Sequence, residues 1–203
     1  MRKRFVYIVP ALAAGLSMLA AAPAAAEGWR FEAEGGAIWF GRNDVRIPGD
    51  TGTRFDMLDL TGEGPDPYIR LSGEYSFGRH TFRGTAAPLR VSGTGTLPGP
   101  VQFAGETFAA GLPTRGVYQF NSYRLSYRYA MRETETWGWG LGAVAFVRDA
   151  KVKLSQGGTT ARDTDLGFVP LAHVSAWTLL GHDITLRFEL EGLAASQGRA
   201  FDG

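Results

Sequence analysis

The sequence has no cysteine among its 203 residues. That excludes disulfide staples, thiol catalysis and thiolate metal sites. Beyond residue 26 there is no run approaching 18 consecutive apolar residues, so no helix there can cross a bilayer. Strands are not excluded, because a barrel hides its apolar residues at alternate positions. A helical period is missing from the same stretch. An excess of positive charge is missing too. Arg2, Lys3 and Arg4 belong to the first 26 residues, so the remainder carries 18 of the 21 basic residues against 20 acidic ones, a net charge of −2. A nucleic-acid partner normally demands the opposite balance, and none is expected here.

What is present begins with a leader. "MRKR" is basic, "FVYIVPALAAGLSMLAAA" is apolar, and "APAAAEG" places Ala24 and Ala26 at the small-residue positions before a cut ahead of Glu27. This is the three-part pattern of a secretory signal peptide. An N-terminal membrane anchor is the alternative, but the apolar stretch is short for a span. The expected organisation is a signal peptide over residues 1–26 and one domain over residues 27–203.

Period-2 alternation dominates that domain. Residues 29–40 put Phe31, Ala33, Ala37 and Trp39 on one face and Arg30, Glu32 and Glu34 on the other. Residues 67–77 set Ile69, Leu71, Tyr75 and Phe77 against Arg70, Ser72 and Glu74. Residues 80–92 alternate more weakly and contain Pro88; 136–149 and 165–178 are more uniformly apolar; 117–130 and 183–192 alternate again. These predict seven antiparallel strands, each with one wet and one dry face. Most reach the roughly 9–11 residues that cross a bilayer at a tilt. Connections near 78–79, 132–135 and 180–182 are short. Those at 41–66, 93–116 and 150–164 are long and rich in Gly, Asp, Thr and Pro. Short turns alternating with long loops predict an all-β, up-and-down transmembrane barrel. Such barrels have an even strand number, so eight strands are expected, with the closing one missing after Gly203.

"NDVRIPGDTGT" (43–53), "FNSYRLSYRY" (120–129), "GFVPLAH" (167–173) and "GLAASQGRA" (192–200) resemble segments of uncharacterised Gram-negative outer-membrane barrel proteins, and the chain as a whole looks like a small eight-stranded barrel of the OmpA/OmpX type. The resemblance covers nearly the whole of residues 27–203. It implies a bacterial outer-membrane location with surrounding lipid as a partner. It implies no activity.

The stretch "YQFNSYRLSYRYAM" (118–131) interleaves aromatics with arginines. A lipid-facing basic residue at mid-bilayer costs about 2–4 kcal/mol. Tyr123, Leu125, Tyr127 and Tyr129 are therefore expected to face lipid, and Arg124 and Arg128 to face inward. The same reasoning turns Glu32, Glu34, Arg70, Glu74, Arg83, Arg187, Glu189 and Glu191 inward, as an ion-pair network filling the barrel rather than a pore. Strands 67–77 and 183–192 are expected to supply carboxylates to the two arginines. Tyr127, Tyr129, Trp137 and Trp139 form the expected interfacial girdle.

His80 and His182 stand beside short turns and are expected to be solvated. His173 and Ser175 share a strand face and are similar to the His-x-Ser of outer-membrane lipid A deacylases; Glu189, or else Glu191, would orient the imidazole. "GDTGT" (49–53) reads as a turn rather than a protease motif, and "SGTGTLPGP" (92–100) lacks the Lys-Ser/Thr of a phosphate loop. Asp44, Asp50, Asp56, Asp59, Glu63 and Asp66 match no Ca²⁺ loop spacing and predict a solvated segment. Neither a metal nor a cofactor is expected. The expected role is non-enzymatic: structural, or binding a surface ligand or envelope component through the external loops. A lipid A-modifying esterase and a soluble periplasmic lipocalin-like barrel are the alternatives.

Overall fold

The computed structural model describes residues 27–181, 184–195 and 198–202. The expected leader, its cut after Ala26, and His182 lie outside the described residues. The strands are β1 (Gly28–Ile38), β2 (Asp44–Val45), β3 (Phe55–Asp56), β4 (Asp66–Phe77), β5 (His80–Ala87), β6 (Arg90–Thr96), β7 (Val101–Phe103), β8 (Glu106–Phe108), β9 (Pro113–Glu133), β10 (Trp137–Gln156), β11 (Thr159–Leu179), β12 (Thr185–Ala195) and β13 (Gly198–Asp202). One four-residue helix, α1 (Leu58–Thr61), lies between β3 and β4. The main sheet is antiparallel in the order β1-β4-β5-β9-β10-β11-β12-β13 and curls strongly into a half-barrel. The seven expected strands correspond to β1, β4, β5, β9, β10, β11 and β12. Among the described residues no pairing joins β1 to β13.

The third expected strand is split. Pro88 has no N–H to give the ladder, and β5 ends just before it. Leu89 keeps the line by accepting the Phe120 N–H at 2.9 Å. β6 then resumes against β9 in unchanged register.

Three connections depart from expectation. Residues 150–164 are not a loop: β10 and β11 stay paired from Trp137↔Thr178 up to Gln156↔Thr159, and turn on Gly157 and Gly158. β12 pairs directly with β13 as far as Ala195↔Gly198, where the alternation of short and long connections predicts a long one. Segment 41–66 is not a solvated loop. Val45, Ile47, Phe55, Met57 and Leu60 from it are buried, and they join Val91, Leu97, Val101, Phe103, Phe108, Tyr118, Val152 and Leu154 in one core. Met57, Phe103, Phe108 and Leu154 are wholly withdrawn from solvent. At about 1.5–3 kcal/mol for each fully buried large side chain, this cluster is the main apolar stabilisation in the described residues.

The molecule therefore has two storeys. The lower one ends at the tight turns after β4, β9 and β11. The upper one is built by the tall ends of β9, β10 and β11 together with β6, the small hairpins β2–β3 and β7–β8, and α1. Both faces of the sheet change character at the same level. On the concave face, polar Ser122 and Arg148 give way to Phe120 and Ala150, then to Tyr118 and Val152. On the convex face, Tyr123 and Val147 give way to Asn121 and Asp149, then to Gln119 and Lys151. Below the switch the sheet is polar inside and apolar outside. Above it the arrangement is reversed.

Glycines seat the helix. α1 lies on Gly93, Gly95 and Gly116, where a Cβ would come within 2.4 Å of the Leu60 carbonyl, 2.0 Å of the Asp59 carbonyl and 2.6 Å of the Met57 methyl, respectively. The "SGTGT" run is a bare landing strip for α1. Asp56 accepts the Leu58 N–H at its start (3.0 Å), and Gly62 ends it at φ +80°.

Candidate functional site

The concave face of the lower storey holds a half-open cavity of about 390 Å³. Arg70, Glu74, Arg83, Arg124, Arg128, Arg187, Glu189 and Glu191 all line it, with His173 and Ser175. Alternation explains the convergence: these residues occupy every second position of β4, β5, β9, β11 and β12, and the ladder register keeps them on one face.

Most of the charges meet in pairs, some between neighbouring strands and some reaching further across the face. Arg83 reaches Glu32 at 2.6 Å, Arg70 reaches Glu34 at 3.3 Å, and Arg30 reaches Glu74 at 3.5 Å. Arg124 reaches across the concave face to Glu191 at 2.6 Å, and its guanidinium lies 4.8 Å from the Phe146 ring centroid. Arg187 and Glu189 stand 4.0 Å apart on one strand. Arg128 departs from expectation. It has no carboxylate partner among the described residues, and donates instead to the Thr81 hydroxyl at 3.1 Å. Its stem lies over Gly140, where a Cβ would be 3.1 Å from the Arg128 Cγ. Backbone space rather than charge decides where this arginine goes.

Neutral side chains extend the network, and of these only Ser72 is marked by the alternation of residues 67–77. Tyr68 donates to Glu34 at 2.5 Å, Ser72 meets Thr85 at 3.1 Å, and Ser76 meets Thr81 at 3.2 Å. Gly138 and Gly140, not among the expected members, clear room for the Trp177 indole and for Arg128. The alternation in "WGWGLG" was the available signal.

His173 and Ser175 do share the concave face, and both are buried, at 6% and 4% exposure. The imidazole Nδ1 is 3.5 Å from Glu191, so Glu191 rather than Glu189 is its carboxylate neighbour. Ser175 lies opposite Glu189 in the ladder, and its Oγ makes no hydrogen bond to His173 or to any other group among the described residues. A base-to-nucleophile link is therefore missing from the constellation.

Tyr127, Tyr129, Trp137 and Trp139 lie on the convex face near the lower turns. His80 is not simply solvated. Its Nδ1 is 2.8 Å from the Tyr127 hydroxyl, and its ring stacks on Phe77.

In the upper storey Asp44 is gripped by Arg54 and Arg42, each at 2.5 Å. The Arg54 hydrogen bond holds the Asp44 carboxyl below its usual range, with Arg42 adding to the effect against the opposing cost of burial. A depressed carboxyl stabilises the fold above its unfolded pKa and loses that contribution as pH falls through its folded one. The upper storey is thus expected to loosen below about pH 4 in the parent and to show a weaker acid response in Asp44→Asn. Protease sensitivity of residues 41–62 against pH checks this; identical profiles for the two chains would refute it. Asp56 accepts the backbone N–H groups of Asn43 and Leu58, both at 3.0 Å. Among the described residues no three acidic or histidine side chains are placed to share a metal ion. Burial in the core raises the Tyr118 hydroxyl.

Compared with family models, with curated proteins and with solved structures, the chain matches none.

Proposed function

We propose that the chain is an integral outer-membrane β-barrel protein of the OmpA/OmpX type. Its lower storey would sit in lipid, and its upper storey would present a structural or ligand-binding surface outside. The observation that carries this reading is the convex apolar band. Phe31, Ile69, Leu71, Phe82, Leu125, Leu141, Phe168 and Phe188 are all exposed there, while charges fill the concave side. An exposed apolar surface of this extent needs a non-aqueous neighbour. On β10 the band runs from Trp137 to Val147. Ten steps of about 3.3 Å, tilted by about 40°, give a height of about 25 Å, the apolar thickness such barrels present. Aromatic side chains at its lower edge fit an interfacial girdle.

A lipocalin-like barrel would place apolar side chains inside the lower storey, where Arg124, Glu191 and their neighbours stand instead. The esterase reading has the His173–Glu191 approach in its favour and lacks the link to Ser175. The ion pairs on the concave face support a filled interior with a structural role. The decisive experiment is fractionation of cells expressing the full chain. It is expected to stay with the membranes after a carbonate wash, and release into the supernatant would overturn the proposal. Leu125→Arg is expected to cost about 2–4 kcal/mol and to reduce the membrane-retained yield.

A further inference from the structure

Five basic side chains stand on the convex face just above the apolar band: Arg90 on β6, Arg115 on β9, Lys151 and Lys153 on β10, and Arg162 on β11. Register sets them in three successive rows about 7 Å apart. Lys151 shares a row with Gln119 and Arg90; Lys153 is opposite Arg162; Arg115 is opposite Ser155 and Thr94. Arg90, Arg115 and Arg162 are exposed, and both lysines are partly so. None of the five has an ion-pair partner among the described residues. The carboxylate at the foot of these rows, Asp149, is taken up by the amides of Gln119 and Asn121, at 3.0 and 2.9 Å. The next acids along β11, Asp163 and Asp165, fall on the concave face, where Arg148 takes Asp165. The residues of the lower turns show no such bias, since they carry both signs: Arg79 and Arg132 with Glu133 and Glu135.

One sign of charge, unpaired and directly above the apolar band, has a physical partner. Lys and Arg lay their stems along apolar surface and hold their charged ends at the water boundary. In a bilayer that level carries the lipid phosphates. We propose that Arg90, Arg115, Lys151, Lys153 and Arg162 form a docking surface for the phosphate groups of an anionic lipid leaflet. This rests on the membrane reading above. Each cation near such a surface favours association by about fivefold, so three together contribute about 100-fold.

The test uses the full chain reconstituted in phosphatidylcholine bilayers with and without phosphatidylglycerol. The readout is the heat-unfolding midpoint, followed by gel mobility. Phosphatidylglycerol is expected to raise the midpoint by about 5 °C at low salt and to lose that effect at high salt. The triple variant K151Q/K153Q/R162Q should show no rise while matching the parent in phosphatidylcholine alone. The charge-preserving K151R/K153R should retain the rise, which separates loss of charge from loss of fold. Equal midpoints in the two bilayers, or a triple variant that still responds, would overturn the proposal. So would a rise of the same size produced in phosphatidylcholine by inorganic phosphate or by a duplex oligonucleotide, since either would mean a general anion site. Carbonate release of the parent chain removes the membrane reading itself; membrane retention without the phosphatidylglycerol effect removes only the docking surface.

Discussion

Arg124→Leu is expected to destabilise the sheet by about 3 kcal/mol or more. Glu191 is only 12% exposed, and the guanidinium 2.6 Å from one of its oxygens is what makes that position tolerable for a carboxylate. Removing a partner from a buried pair leaves an uncompensated charge at a cost of about 3–5 kcal/mol. Arg124 is about a quarter exposed, so solvent screening moves the figure toward the low end. Loss of the contact with Phe146 adds a further fraction. The double variant R124L/E191L should recover much of the loss, because it removes both charges together. Heat-unfolding midpoints of the refolded chains measure all of this. A single variant as stable as the parent would mean that Arg124 does not compensate Glu191.

Phe103→Ala is expected to cost about 3–5 kcal/mol, confined to the upper storey. Phe103 is fully buried on β7. It stands edge-on to Phe55 at 6.2 Å between ring centroids and lies 6.5 Å from Phe108. It thus joins the β7–β8 hairpin to the β2–β3 hairpin, beside the backbone hydrogen bonds Thr53 N–H to Gln102 O and Ala104 N–H to Ile47 O, and both hairpins reach the main sheet chiefly through this shared core. Their joint release should expose residues 41–62 and 98–111 to protease while the lower ladder stays protected. A variant with unchanged cleavage would show that the hairpins are anchored elsewhere. Phe168→Ala is the useful contrast. Phe168 is 66% exposed on the convex face, so no cavity forms and no core is lost.

Much of the lower storey was legible because period 2 directly reports a sheet with unlike faces. The alternations of residues 29–40, 67–77 and 183–192 anticipate β1, β4 and β12 closely, and the same parity turns their charges to one side. Residues 150–164 read as a loop for a definite reason. Their alternation is intact, with Ala150, Val152 and Leu154 against Lys151 and Lys153, but its polarity is reversed. The Gly, Asp and Thr around it carry the composition of a loop. Residues 41–66 have no period at all. Val45, Ile47, Phe55, Met57 and Leu60 reach the core through contacts distant in sequence, which local pattern cannot report. The partner of Arg128 depends on Gly140, a residue from another strand. Pairwise choices of that kind are made by packing, so a charge count along the chain does not reveal them.

The reversal of faces also bears on how β10 and β11 find their alignment. They form one continuous hairpin across both storeys, so a single register serves two opposite polarity codes. A slip by one residue would send Arg148 outward and Val147 inward in the lower half, and in the same movement expel Val152 and Leu154 and bury Lys151 and Lys153 in the upper. Each storey therefore proofreads the strand alignment of the other.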